Sequence, residues 1–300
     1  MQIAVIGAGA IGAVVAAAGC DSGHEVTVCT RTPISTLTLE RDGAHRSLPV
    51  TIVADPTDPS LQPIDVVWVT TKVGDTAGAA PWLARLCGPD TLVAAAQNGL
   101  DHHARLAPYV QNGWVVPALA YLAAERVGPG RVVHLSGDRV VVPAGEAETR
   151  LARAAATGLV VRGVQDMQTA TWRKLLGNLV ANPITTLTLR RIDVMRDPGI
   201  ADLARGLLLE AVQVGRAEGA HLGDEDVTAV LDGTRQYGDR TGSSMLYDRL
   251  AGNPLEHQHL TGEVVRRAAR HGIPVPLNAA VLALLDALDR GAKAPPAEPA

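Results

Sequence analysis

Met1-Gln-Ile-Ala-Val-Ile-Gly-Ala-Gly-Ala-Ile-Gly12 opens the chain. The apolar run Ile3–Ile6 has the length and composition of a buried strand, and Gly7, Gly9 and Gly12 follow it at the spacing G-x-G-x-x-G. An alanine-rich stretch then runs as a helix to Ser22-Gly23. Strand, tight turn and helix in this order form the fingerprint that receives a dinucleotide pyrophosphate. Gly7 permits the turn, Gly9 lets the backbone approach the phosphates, and Gly12 lets helix and strand pack closely. Ala10 and Ile11 start the helix, where unpaired N–H groups face the anion.

The second strand, His24-Glu-Val-Thr-Val-Cys-Thr-Arg31, decides which dinucleotide. An NAD site ends this strand in an acid that accepts hydrogen bonds from the ribose hydroxyls and repels a 2′-phosphate. Here the end is Cys29-Thr30-Arg31, and Lys72 follows a further strand, Val66-Val-Trp-Val-Thr-Thr71. Neutral residues flanked by cations suit NADP(H).

Residues 3 to 20 carry no charge and end in Ala17-Ala18-Gly19-Cys20, which superficially resembles a lipoprotein signal. Met1-Gln2 supplies no Lys or Arg before it, and its glycines weaken any membrane-span reading, so a cytoplasmic protein is expected. Three cysteines without C-x-x-C spacing read as packed, reduced thiols. A formal charge of −4 gives no footprint for nucleic acid or an anionic membrane. With 300 residues, 47% hydrophobic, the chain is long enough for two domains.

Strand signals recur near 2–6, 25–30, 49–53, 65–71, 91–95, 114–119, 131–136 and 139–143, with helices near 10–22, 75–87 and 147–157. After Asp166 only helical patterns follow, near 167–182, 198–219, 224–235, 243–251, 255–271 and 276–289. The expected fold class is α/β: a Rossmann-type dinucleotide-binding domain over 1–165, an all-α substrate domain over 166–290, and a disordered tail over 291–300. A cleft between the two domains is where a substrate is expected.

The first helix of the second half is largely apolar (Trp172, Leu175, Leu176, Leu179, Val180), yet Lys174, Asn178 and Asn182 fall at i, i+4 and i+8 on one slowly drifting stripe. An ammonium and two amides are expensive to bury without partners, so the stripe is expected to line a polar cleft, with Pro183 ending the helix. Thr241-Gly-Ser-Ser244 reads as a helix start whose N–H groups and Ser243 or Ser244 hydroxyl would hold a carboxylate. Asn253-Pro-Leu-Glu256 reads as another start, where a capping box alone would account for Glu256.

Taken together, these motifs resemble the NADPH-dependent ketopantoate reductases (2-dehydropantoate 2-reductases). The resemblance rests on Gly7-Ala-Gly-Ala-Ile-Gly12, Arg31, Thr71-Lys72, Gln97-Asn98-Gly99, Trp172-x-Lys174-x3-Asn178-x3-Asn182-Pro183, and Ser243-Ser-Met-Leu-x-Asp248 leading to Glu256 and Gly262. It implies reduction of a 2-oxo acid to a 2-hydroxy acid, above all ketopantoate to pantoate in pantothenate biosynthesis. By the same resemblance, Lys174 is the general acid, Asn98 sits near the nicotinamide, Asn178 and Asn182 bind substrate oxygens, Ser244 holds the carboxylate, and Glu256 bonds the substrate hydroxyl.

Three features depart from the family pattern. No amide occurs in Thr188-Leu-Arg-Arg-Ile192-Asp193, Tyr247 follows Ser-Ser-Met-Leu, and His257-Gln-His259 follows Glu256. These changes leave open a paralogue acting on another small 2-oxo acid, and a non-catalytic NADP(H)-binding sensor is the alternative of a different class. No metal site is expected, because His257 and His259 at i and i+2 would point to different helix faces. A homodimer is compatible with the apolar helical domain.

Overall fold

The computed structural model describes residues 1–236 and 241–293 and divides into two compact units, Met1–Met167 and a second beginning at Gln168. In the first unit the opening apolar run forms β1 (Gln2–Ile6), followed by α1 (Ala10–Asp21), β2 (Glu25–Cys29), β3 (Thr38–Arg41), β4 (Ala44–Ser47) and β5 (Thr51–Val53). Then come β6 (Val66–Val69), α2 (Ala80–Leu86), β7 (Leu92–Ala95), α3 (His102–Leu106), β8 (Trp114–Pro117), β9 (Leu119–Gly128), β10 (Arg131–Pro143), α4 (Glu146–Ala154) and β11 (Val160–Val164).

Six of these strands form a parallel sheet in the order β5-β2-β1-β6-β7-β8, with Ile3 paired to Val26 on one side and to Val66 on the other. The order reverses at β1 and β6, the arrangement of a doubly wound dinucleotide-binding sheet. Because side chains alternate along a strand, Ile3, Val5, Val66 and Trp68 pack on one face against Ala13–Ala18 of α1. Ala4, Ile6, Val67 and Val69 pack on the other face against Trp82, Leu83 and Leu86 of α2 and Leu106 of α3.

A second sheet is built around the long strand β10. One edge of β10 carries β3 over its first half and β11 over its second, while β9 pairs antiparallel along it. Leu39, Val132, Val140 and Val142 of this sheet join the core that contains α1. With sheets on two sides, α1 buries the whole stretch Gly12–Gly19. That explains the uncharged segment 3–20: it is a strand and a helix enclosed in protein.

Several elements differ from the sequence expectation. The β3–β4 hairpin turns at Asp42-Gly43, where both φ angles are positive (52° and 79°), the geometry that Asp-Gly favours. β9 and β11 form where no strand was expected, and the segments 131–136 and 139–143 are one strand, β10. The stretch 75–87 begins as a 3₁₀ turn, Val73–Ala79, before α2, and the short helix α3 lies in a segment expected to be irregular.

The second unit consists of α5 (Met167–Thr188), α6 (Pro198–Ala217), α7 (Asp224–Gln236), α8 (Ser244–Leu250), α9 (Thr261–His271) and α10 (Pro276–Lys293). α6 packs against α7, α9 and α10. Trp172 of α5 lies against Gly215 of α6, where an added Cβ would come within 3.1 Å of the indole. Contrary to expectation, α5 runs through Pro183. A proline inside a helix costs about 3 kcal/mol or more, and here Pro183 is buried with Ile184. Nearby carbonyls gain hydroxyl donors, Thr185 Oγ1 to Ala181 O and Thr188 Oγ1 to Ile184 O, both at 2.7 Å.

The expected helix over 255–271 is instead a 3₁₀ turn, His257–His259, followed by α9. Glu256 makes no capping bond there. Asp289 of α10 takes the Leu255 N–H, and Asp286 takes the side chains of His257 and Gln258, which holds the segment off a helical course. Residues 291–293 close α10, and the rest of the expected tail, 294–300, lies outside the described residues. Among the described residues no helix is long and apolar enough to cross a membrane.

Candidate active site

The glycine turn meets three different constraints. Gly7 has φ +112°, and its N–H donates to Cys29 O at 2.9 Å. A Cβ on Gly12 would lie 2.0 Å from Gly7 O, so only glycine lets α1 start this close to the turn. Thr70 Oγ1 closes the arrangement by donating to Gly7 O at 2.9 Å and Ile6 O at 3.1 Å. A Cβ on Gly9 would meet nothing within 4 Å. Neither the turn conformation nor the packing therefore requires glycine at position 9, and the space in front of it is what a diphosphate needs. Gly9 caps α1 without a side-chain bond and the first turn holds no acid, so Ala10 and Ile11 present their N–H groups at an electropositive helix end.

Arg31 follows β2 and Lys72 follows β6, the two neighbours of β1, so both cations stand at the same end of the sheet as the glycine turn. Both are exposed. The Arg31 guanidinium lies 3.4 Å from Asp75, a solvated pair weak enough to yield to a phosphate.

Gln97 follows β7 and opens the Gln97-Asn98-Gly99 segment. Its buried amide donates to Thr71 O and Thr71 Oγ1 at 3.1 Å and to Thr76 Oγ1 at 3.0 Å, fixing the segment that carries Lys72. Arg105 donates to Gln97 Oε1 and Asn98 O at 3.3 Å and to Leu100 O at 2.5 Å. His102 Nε2 donates to Gln97 O at 2.9 Å, and burial pushes its pKa down to about 4, so the ring is neutral. Half-buried Asn98 is held in this loop, between β7 and α3. An amide directly after a strand was the available signal; the partners of His102 and Arg105 left none.

In the helical unit the stripe sinks progressively, with Lys174 and Asn178 half-buried and Asn182 2% exposed. Asn182 Oδ1 accepts from Ser244 Oγ and from the Met245 N–H, each at 3.2 Å. Ser243 caps α8 by accepting from Leu246 N at 3.1 Å, and its hydroxyl pairs with Thr185 Oγ1 at 2.7 Å. The structure thus joins Asn182 to Ser244. It also corrects one expectation: the Met245 and Leu246 N–H groups at this helix start serve Asn182 and Ser243 and are not open to a carboxylate.

Two of the departures meet on the turn before α8. Tyr247 Oη accepts from Gly242 N at 3.0 Å and from Arg191 at 3.4 Å, and Ile192 N donates to Thr241 O at 3.0 Å. Glu256 and His257 are buried, at 7% and 3% exposure. Among the described residues no three His, Cys, Asp or Glu side chains gather as a metal site.

The family model "Ketopantoate reductase PanE/ApbA" matches residues 3–147, and "Ketopantoate reductase PanE/ApbA C terminal" matches 166–289. The chain belongs to the ketopantoate reductase family. A 2-dehydropantoate 2-reductase of Caulobacter vibrioides is 39% identical over 288 residues, covering 95% of this chain and 98% of the relative. The PanE/ApbA family ketopantoate reductase of Ralstonia eutropha superposes with a TM-score of 0.87 at 28% identity, covering 98% of this chain and all of that one. The dimeric ketopantoate reductase of Staphylococcus aureus gives 0.86 at 26% identity, covering 97% of this chain and 100% of its own. Membership makes the chain an oxidoreductase that uses NADP(H) to reduce a 2-oxo acid.

Proposed function

We propose that this member of the ketopantoate reductase family reduces 2-dehydropantoate to pantoate. The observation that carries the proposal is the stripe on α5, one ammonium and two amides at i, i+4 and i+8, running from half-buried Lys174 to buried Asn182. NADPH, when bound, supplies the hydride; Gly7, Gly9, Gly12, Ala10 and Ile11 would hold its diphosphate, Arg31 and Lys72 its 2′-phosphate, and Asn98 its nicotinamide end.

The chain's own chemistry is proton supply and charge stabilisation. As negative charge develops on the substrate carbonyl oxygen, the Lys174 Nζ donates a proton to it, an interaction stronger in the transition state than in the ground state. Asn178 and the Nδ2 side of Asn182 bind substrate oxygens, and the Ser244 hydroxyl would turn from Asn182 Oδ1 to donate to the substrate carboxylate. Glu256, an acceptor, takes the substrate's hydroxyl hydrogen and so favours a hydroxylated 2-oxo acid over an unsubstituted one.

NADPH oxidation by the purified protein, measured with ketopantoate beside a panel of other 2-oxo acids, tests the reading. Rapid turnover favouring ketopantoate is expected. Preference for another acid would move the assignment to a paralogue, the reading that the departures at Ile192 and Tyr247 leave open. NADPH binding without turnover on any acid would mark a sensor. A cytoplasmic location and a homodimer, the assembly named for the Staphylococcus aureus relative, complete the proposal.

A further inference from the structure

Glu256 lies between two residues that are both fastened to α10. On one side the Leu255 N–H donates to Asp289 Oδ1 at 3.1 Å. On the other, His257 Nε2 and Gln258 Nε2 donate to Asp286 Oδ1 at 2.9 and 2.6 Å. Asp286 and Asp289 are three residues apart and so share one face of α10. From the far side Arg266 donates to Gln258 O at 2.6 Å and Gln258 Oε1 at 3.1 Å, and Arg266 is itself held by Glu263 at 2.8 Å.

The chemistry of His257 shows that it does more than fill space. Its Nε2 faces a carboxylate that burial would raise but that donation from His257 and Gln258 draws below its ordinary pKa. Nε2 therefore carries the hydrogen that Asp286 accepts. Nδ1 is buried and has no partner among the described residues. An orphaned buried polar atom is destabilising, and an apolar side chain of similar volume would avoid it. What only the imidazole supplies is the directional bond to Asp286.

We infer that His257 and Asp286, with Asp289, are positioning residues that clasp the 255–258 turn to α10 and thereby fix the orientation of Glu256 toward the substrate. The inference rests on the proposed role of Glu256. Glu256 itself emerges from a short 3₁₀ turn, with His259 N donating to Glu256 O at 2.9 Å, and such a turn has few internal bonds to fix it alone. The histidine after Glu256, one of the departures from the family pattern, thus becomes a tether.

The test is a steady-state comparison of His257→Leu, His257→Gln, Glu256→Gln and the double variant Glu256→Gln/His257→Leu, with thermal melts and NADPH affinity measured on each. His257→Leu keeps the volume and should lower kcat/KM for the 2-oxo acid about tenfold, chiefly through KM, with NADPH affinity unchanged. The amide of His257→Gln can take the place of Nε2 and should recover activity to within about threefold of the parent protein. In the Glu256→Gln background, His257→Leu should cost less than about twofold, because it acts through Glu256. A His257→Leu loss that persists undiminished in that background, or no loss at all, would overturn the clasp. Parent-level kcat/KM in Glu256→Gln alone would instead overturn the role of Glu256.

Discussion

The glycine turn after β1 and the polar stripe of α5 are built from opposite materials. The turn presents main-chain N–H groups and empty space, and its identity is written in residues with no side chain: Gly7 held at φ +112°, Gly12 packed against Gly7 O, Gly9 facing open space. The stripe presents an ammonium and two amides, and one amide is partly spent on bracing α8. A site made of backbone depends on the fold being right and fails by steric intrusion. A site made of side chains fails group by group and leaves the fold standing.

The largest separation should come from Lys174→Ala. Turnover should fall by roughly 10²–10⁴, the usual contribution of a positioned proton donor, while NADPH affinity stays within about threefold. Equal loss of both in rapid kinetics and fluorescence titration would break the contrast. Within the turn, Gly12→Ala should destabilise by roughly 3 kcal/mol or more, since its Cβ would sit 2.0 Å from a backbone oxygen. Gly9→Ala should leave the urea midpoint almost unchanged yet weaken NADPH binding at least about tenfold. A matching pair of stability losses would show that Gly9 is there for packing.

The loop carrying Asn98 adds a pH test. His102 in the folded chain has a pKa of about 4, below the ordinary 6.5, so between these values the unfolded chain binds a proton that the folded chain refuses. Stability is complete above pH 6.5 and declines as pH falls toward 4, by on the order of 3 kcal/mol. Urea titrations of the parent protein and His102→Gln should diverge in that window and agree above it. In the helical unit, Asn182→Leu should cost roughly 1–3 kcal/mol, because Met245 N and Ser244 Oγ lose their acceptor. Arg31→Ala should have the smallest effect, shifting the NADPH over NADH preference about tenfold with stability within about 0.5 kcal/mol.

The parallel sheet was legible because each strand is a short apolar run bounded by turn residues, and the glycine fingerprint fixed where its loops converge. The β3–β4 hairpin was missed although Asp42-Gly43 is a hairpin-turn signal, because its strands Thr38–Arg41 and Ala44–Ser47 are largely polar and exposed and carry no apolar alternation. β9 escaped because it is half-buried along most of its length, without a clean period of two. Pro183 misled, since a local rule against proline inside a helix is overridden here by tertiary burial. The stripe itself was readable from the spacing 174, 178, 182, but not that Asn182 would brace α8, because that contact joins residues about sixty apart. Glu256 looked like a cap because nothing local reveals that Asp286 and Asp289 claim the turn around it.

α1 is enclosed by two sheets, and the residues behind its phosphate-facing end, Gly12–Gly19, are all buried. Amides so enclosed should be among the best protected of the unit in a hydrogen-exchange measurement. The turn proposed to bind the diphosphate is therefore anchored to a helix buried from Gly12 to Gly19. A nucleotide bound there, as proposed, would meet a firm turn, with exposed Arg31 and Lys72 as the groups around it able to shift.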